Sequence, residues 1–131
     1  VKVVCPYCGR DAVLVKGTVI YPHRQDLYSR NFWQCAPCDA YVGTHRRNKK
    51  HKLNGDEPLG RLANKELRRE KVAAHAAFDP LWVTGAMPRR AAYEWLAAAI
   101  DVPFDECHIG LFDVDACRSV VVAVENRRAT K

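Results

Sequence analysis

The sequence predicts an α+β protein, and three observations predict it. Two Cys-x-x-Cys pairs, Cys5/Cys8 and Cys35/Cys38, bracket short runs of β-branched and aromatic residues in the first third of the chain. A polar, strongly basic stretch without apolar periodicity follows over Arg46–Pro58. From Leu59 onward apolar residues recur at helical spacing. These divide the chain into residues 1–45, 46–58 and 59–131, the last expected to pack with the first as one compact unit. A chain of 131 residues suffices for one compact domain and not for two large ones. With 48% apolar and 27% charged residues, disorder is excluded as its overall class.

Each element follows from its local sequence. Ala12–Val15 and Thr18–Tyr21 are β-branched and apolar, and predict one strand kinked at Gly17. Pro22 to Asn31 is polar and turn-like. Asn31–Cys35 and Ala40–Gly43 predict two further short strands flanking the second cysteine pair. Asn64 can cap a helix running to about Ala77 and stopped by Pro80. Leu62, Leu67, Ala74 and Phe78 would line its apolar face. A second helix is predicted from Pro88, a residue tolerated in the first turn, to Ile100. Its candidate core residues are Ala92, Trp95, Leu96, Ala99 and Ile100. A last helix over Val114–Asn126 can be capped by Asp113 or Asp115. The run Val120–Val122 keeps a strand there as the alternative.

The cysteine pairs carry the clearest chemistry. A Cys-x-x-Cys turn presents two thiolates to one ion, and two such turns make a tetrahedral four-sulfur site that suits zinc. The 26 residues between Cys8 and Cys35 fit a hairpin extended by a loop. A disulfide framework would expect a secretory context, which the sequence lacks. A redox dithiol would sit in a βαβ pattern and leave the second pair unexplained. Cys5, Cys8, Cys35 and Cys38 are therefore the expected ligands of one structural zinc ion. Four sulfur ligands close the coordination sphere and argue against catalysis by this metal. Three short strands bury too little apolar surface alone, and metal binding supplies the missing folding free energy. The expected architecture is an N-terminal zinc ribbon, a basic loop and a small helical bundle.

Two further groups of residues admit two readings each. His45, His75, Cys107, His108 and Cys117 could build a second metal site, or serve as ordinary structural residues. Tyr28, Phe32, Trp33 and Tyr41 could stack on the bases of a single strand, or form the ribbon's core.

The formal net charge is +6, and its distribution says more than its total. Arg46–Lys71 holds ten basic residues against four acidic ones, so this window carries the entire excess. A localised basic segment in an otherwise neutral chain is the footprint of a polyanion partner. The expected contacts are Arg46, Arg47, Lys49, Lys50 and Lys52, then Arg68 and Arg69. No apolar run approaches the ~18 residues needed to span a bilayer, and the opening Val1–Cys5 has no apolar signal core. A cytoplasmic location and no membrane partner are expected.

A family resemblance rests on eight motifs. They are Cys-Pro-Tyr-Cys-Gly at 5–9, Cys-x-x-Cys at 35–38, Tyr-Val-Gly-x-His at 41–45 and Pro-Leu-Gly-x-Leu-Ala at 58–63. Glu-Leu-Arg at 66–68, Ala-His-x-x-Phe-Asp-x-Leu-Trp at 74–82, Ala-Tyr-x-Trp-Leu-Ala at 92–97 and Cys-His-Ile-Gly at 107–110 complete the set. Together they resemble a zinc-finger-containing family of phage and prophage proteins, over nearly the whole chain. The resemblance implies zinc on the four paired cysteines and an infected or lysogenic bacterial cell as the setting. It implies no reaction. Where such proteins often pass quickly from Gly-x-His to Pro-Leu-Gly, this chain inserts the basic stretch Arg46–Glu57.

The leading functional expectation is a zinc-stabilised, non-enzymatic nucleic-acid-binding accessory or regulatory protein. The alternative is an interaction module that grips a host polymerase, nuclease or defence protein. A third reading, a metal-dependent nuclease using His45 or His75, lacks a clean His-Asn-His spacing.

Overall fold

The structure, a computed structural model, describes residues 2–130. The chain divides after Lys65 into two compact units. The first is built on a three-stranded antiparallel sheet in the order β1-β2-β3, with β1 at Val13–Lys16, β2 at Asn31–Cys35 and β3 at Ala40–Gly43. In the central strand, successive side chains serve opposite faces. Trp33 and Cys35 share the face that packs with Cys5, Ala12, Ala40 and Leu62. Phe32 turns to the other face and meets Tyr21 and Tyr41 edge-on, at ring-centroid distances of 5.6 and 6.4 Å. Phe32 and Trp33 are buried, so the core reading of these aromatics holds and neither offers a free ring to a base.

The predicted kinked strand ends earlier than its composition suggests. Gly17–Ile20 form a single helical turn, α1, in place of a continued strand. The cause is a close approach that only glycine permits. A Cβ on Gly17 would stand 1.7 Å from the Leu27 carbonyl oxygen. Gly17 N–H also donates to Arg30 O at 2.8 Å, where the ladder hands over to the turn. The β-branched residues Thr18, Val19 and Ile20 are therefore carried off the sheet against their local propensity.

Residues 59–63, assigned from sequence to the helical region, instead run along the free edge of β3. Tyr41 and Ala63 exchange backbone hydrogen bonds of 3.1 and 2.9 Å, and Leu59 N–H donates to Gly43 O at 2.9 Å. The edge is thereby covered. Leu62, expected on the helical face, is 1% exposed within the ribbon core instead. Its pattern matched a helix only because the chain enters α2 three residues later, at Lys65.

The second unit is helical. Its elements are α2 at Lys65–Phe78, α3 at Pro80–Val83, α4 at Arg89–Ala99 and α5 at Val114–Ala129. Leu67, Ala74 and Phe78 of α2 are buried, as are Ala92, Leu96 and Ala97 of α4, while Ala99 is exposed. Phe78 meets Tyr93 edge-on at 4.8 Å. The valine run belongs to α5, because Cys117, Val120 and Val124 place one buried stripe at helical spacing. Asp113 caps that helix by accepting the Ala116 N–H at 2.9 Å. Arg118 reaches Glu66 at 3.8 Å and Glu70 at 3.5 Å, and Lys71 Nζ donates to Gly110 O at 2.9 Å. Among the described residues no helix is long and apolar enough to cross a membrane.

Candidate metal centre and basic arm

The first cysteine pair sits in a tight turn. Cys5 N–H donates to Arg10 O at 2.8 Å, Gly9 N–H donates to Cys5 O at 2.9 Å, and Gly9 adopts φ +77°. That left-handed conformation costs glycine nothing, which explains Gly9 at this position. Tyr7 N–H points at Cys5 Sγ from 3.4 Å. The second pair spans the end of β2 and a 3-10 turn, Ala36–Cys38, closed by Asp39 in the left-handed region. Pro37 favours that turn.

The four sulfurs converge within 4.8 Å of one another. A tetrahedral ion with zinc–sulfur bonds near 2.3 Å requires sulfur–sulfur edges of about 3.8 Å. Cys8 Sγ and Cys35 Sγ stand 3.6 Å apart, which fits that edge and is far beyond a disulfide bond of about 2.05 Å. All six cysteines are free thiols. The donor set is soft, tetrahedral and closed, and it fits one structural zinc ion.

Thiol ionisation in the cluster is uneven. The Arg10 backbone N–H lowers Cys8 to about 7. Hydrogen bonding with Cys8, followed by desolvation, pushes Cys38 up to about 12, and burial raises Cys35. Four thiolates this close repel one another, and a divalent cation resolves that conflict by deprotonating its ligands outright.

One tyrosine ties this centre to the rest of the unit. Tyr7 Oη donates to Leu62 O at 3.2 Å and accepts from Asn64 N–H at 3.1 Å. The first cysteine turn is thus fastened to the segment covering β3, while Leu62 packs in the same core as Cys5 and Cys35. Sequence reasoning missed Tyr7, because both partners are backbone atoms more than fifty residues away.

The basic stretch is a folded hairpin. Thr44 bridges to Pro58, His45 N–H donates to Glu57 O at 2.9 Å, and Asn48 and Leu53 exchange two bonds of 2.9 Å. Asn48 Oδ1 accepts from Lys50 N–H at 3.0 Å and His51 N–H at 3.4 Å, and Lys52 closes the tip at φ 56°. The base is pinned to β2: Trp33 Nε1 donates to Asp56 O at 2.6 Å, and Asn31 Nδ2 to Gly55 O at 3.0 Å. Glu57 accepts the N–H groups of Asn54 and Gly55 at 3.0 Å, which hold its carboxyl below the ordinary value. Arg46, Arg47, Lys49, Lys50 and Lys52 are all exposed on this arm. Among the described residues, none of the five has an ion-pair partner.

The remaining predicted residues are dispersed. Arg69 is exposed and Arg68 half-buried on α2. His45 lies in the first unit, whereas His75, Cys107, His108 and Cys117 lie in the second. His75 pairs with Asp79 at 3.2 Å, one helical turn along. Cys107 and Cys117 are buried, and burial raises both thiols. Cys107 and His108 border a cleft of about 580 Å³ with Arg89, Arg90, Tyr93 and Phe104. Among the described residues, the three-or-more-ligand cluster is that of Cys5, Cys8, Cys35 and Cys38, and the five candidates do not form a second one.

A small antiparallel sheet stapled by four converging thiolates defines a zinc-binding protein of the zinc-finger class. The chain belongs to a family described as a zinc-finger-containing domain, whose pattern it matches over residues 1–127. No curated protein and no solved structure matched in the corresponding comparisons.

Proposed function

We propose that this protein binds nucleic acid through its basic arm, as a non-enzymatic accessory or regulatory factor in the phage setting that its motifs imply. One observation carries the reading: five exposed cations, without carboxylate partners among the described residues, sit on a hairpin pinned to a zinc-stapled sheet. Cations left unpaired on a preformed support are available to phosphates at little ordering cost. The zinc acts as a fastener, since four sulfurs leave no position for substrate. Arg68 and Arg69 would add contacts from α2.

The test is binding of the zinc-loaded full chain to single-stranded DNA, duplex DNA and RNA across a range of salt. It runs beside a variant with Arg46, Arg47, Lys49, Lys50 and Lys52 changed to Gln. Each neutralised phosphate contributes about −0.9 to the log–log salt slope on duplex and about −0.7 on single strands. Removing five contacts should flatten the slope by up to about 4.5 or 3.5 respectively. Absence of binding at low salt overturns the reading and leaves the arm to an acidic protein surface.

A further inference from the structure

At the foot of the arm, within the first unit, the chain forms a half-open recess of about 200 Å³. Arg30, His45, Arg46 and Arg47 line it, together with Ser29 and Asn31. The rest of the wall comes from Thr44, Asn54 and Gly55, so among the described residues no acidic one lines the space. The adjacent carboxylate, Glu57, already accepts the N–H groups of Asn54 and Gly55. Arg30, Arg46 and Arg47 have no ion-pair partner among the described residues.

The sheet register assembles this pocket. Phe32 pairs with Gly43, so the residues entering β2 lie beside those leaving β3. Arg30 is thereby brought to Arg46 and Arg47 across the antiparallel pair. The bond from Asn31 Nδ2 to Gly55 O sets the returning strand of the arm as the third wall.

We propose that this pocket is a phosphate site and that it takes the terminal phosphate monoester of a nucleic-acid strand. The phosphate follows from the lining alone; the strand end rests on the nucleic-acid reading above. The pocket is smaller than the ~300–1,000 Å³ of ordinary small-molecule sites. Among the described residues no aromatic ring lines it, so a base has nothing to stack on. Guanidinium groups match phosphate oxygens bidentately, and three arginines around one recess suit a group of high charge density. A terminal monoester carries about −1.5 to −2, against a single charge on each internal diester.

The experiment uses the zinc-loaded full chain and two probes. Inorganic phosphate is titrated while the backbone amides of Ser29, Arg30, Arg46 and Arg47 are followed by NMR. One oligonucleotide sequence is then compared with a 5′-phosphate, with a 3′-phosphate and with neither. The expected result is saturable phosphate binding and a preference of at least about tenfold for a phosphorylated end, the worth of one charge-assisted hydrogen bond. Arg30→Gln and Arg47→Gln should each collapse that ratio. Lys50→Gln, at the arm's tip and outside the pocket, should weaken all three oligonucleotides alike and preserve it. A preference that survives Arg30→Gln and Arg47→Gln, or none in the wild type, overturns the proposal while leaving nucleic-acid binding intact. Saturable phosphate binding without oligonucleotide binding overturns the strand end together with the nucleic-acid reading.

Discussion

Removing the zinc should unfold the sheet, and the structure gives the scale of the loss. Among the described residues, the large buried side chains of the first unit other than cysteine are Phe32, Trp33 and Leu62. Two aromatics at ~150–250 Å² and one leucine, at ~25 cal/mol per Å², contribute on the order of 10 kcal/mol, and that is an upper bound. A structural zinc contributes about 10–16 kcal/mol. The metal therefore matches or exceeds the whole apolar core, and it exceeds most of the ~5–15 kcal/mol net stability of a typical domain. Chelation should collapse the amide dispersion of Phe32–Cys35 and Ala40–Gly43 in an NMR spectrum, and restoring zinc should return it. Cys35→Ser should do the same without a chelator. If metal analysis shows the zinc gone while those amides keep their dispersion and exchange protection, the staple argument is wrong.

Three further outcomes are expected. Gly17→Ala should destabilise the protein by more than about 2 kcal/mol in denaturant, since its Cβ meets a backbone carbonyl that cannot swing away; a change under about 0.5 kcal/mol contradicts this. The Asn54 and Gly55 amide resonances should titrate with Glu57 at a midpoint below its ordinary 4.5, and Glu57→Gln should abolish that response. The sign follows from the lowered value: the carboxylate's support of the arm is complete above 4.5 and is lost as pH falls through the folded value. A midpoint at or above 4.5 refutes it. Asp113→Ala should cost about 0.5–2 kcal/mol through the lost cap of α5, read from thermal or chemical melts. An unchanged melt would mean that the cap carries no stability.

What the sequence determined by itself is what short-range geometry determines. Cys5, Cys8, Cys35 and Cys38 were legible because a Cys-x-x-Cys turn fixes its two sulfurs within four residues, whatever lies around it. A last helix with a cap at Asp113 or Asp115 was legible too, whereas its buried stripe of Cys117, Val120 and Val124 was not, because Val120–Val122 left a strand open. The concentration of charge in the inserted stretch was visible as a count. The tertiary structure decided everything that required two distant segments to meet. Thr18–Ile20 look like strand, yet leave the sheet because Leu27 crowds Gly17. Leu62 fits a helical stripe, yet packs beside the cysteines because Ala63 pairs with Tyr41. The basic stretch reads as an irregular loop, yet it is a hairpin because Trp33 and Asn31 hold its base. Arg30 carries no mark of function in the sequence, and only the pairing of Phe32 with Gly43 places it beside Arg46 and Arg47. Propensity and periodicity act over a few residues, whereas strand register and pocket walls are set by contacts across the sheet.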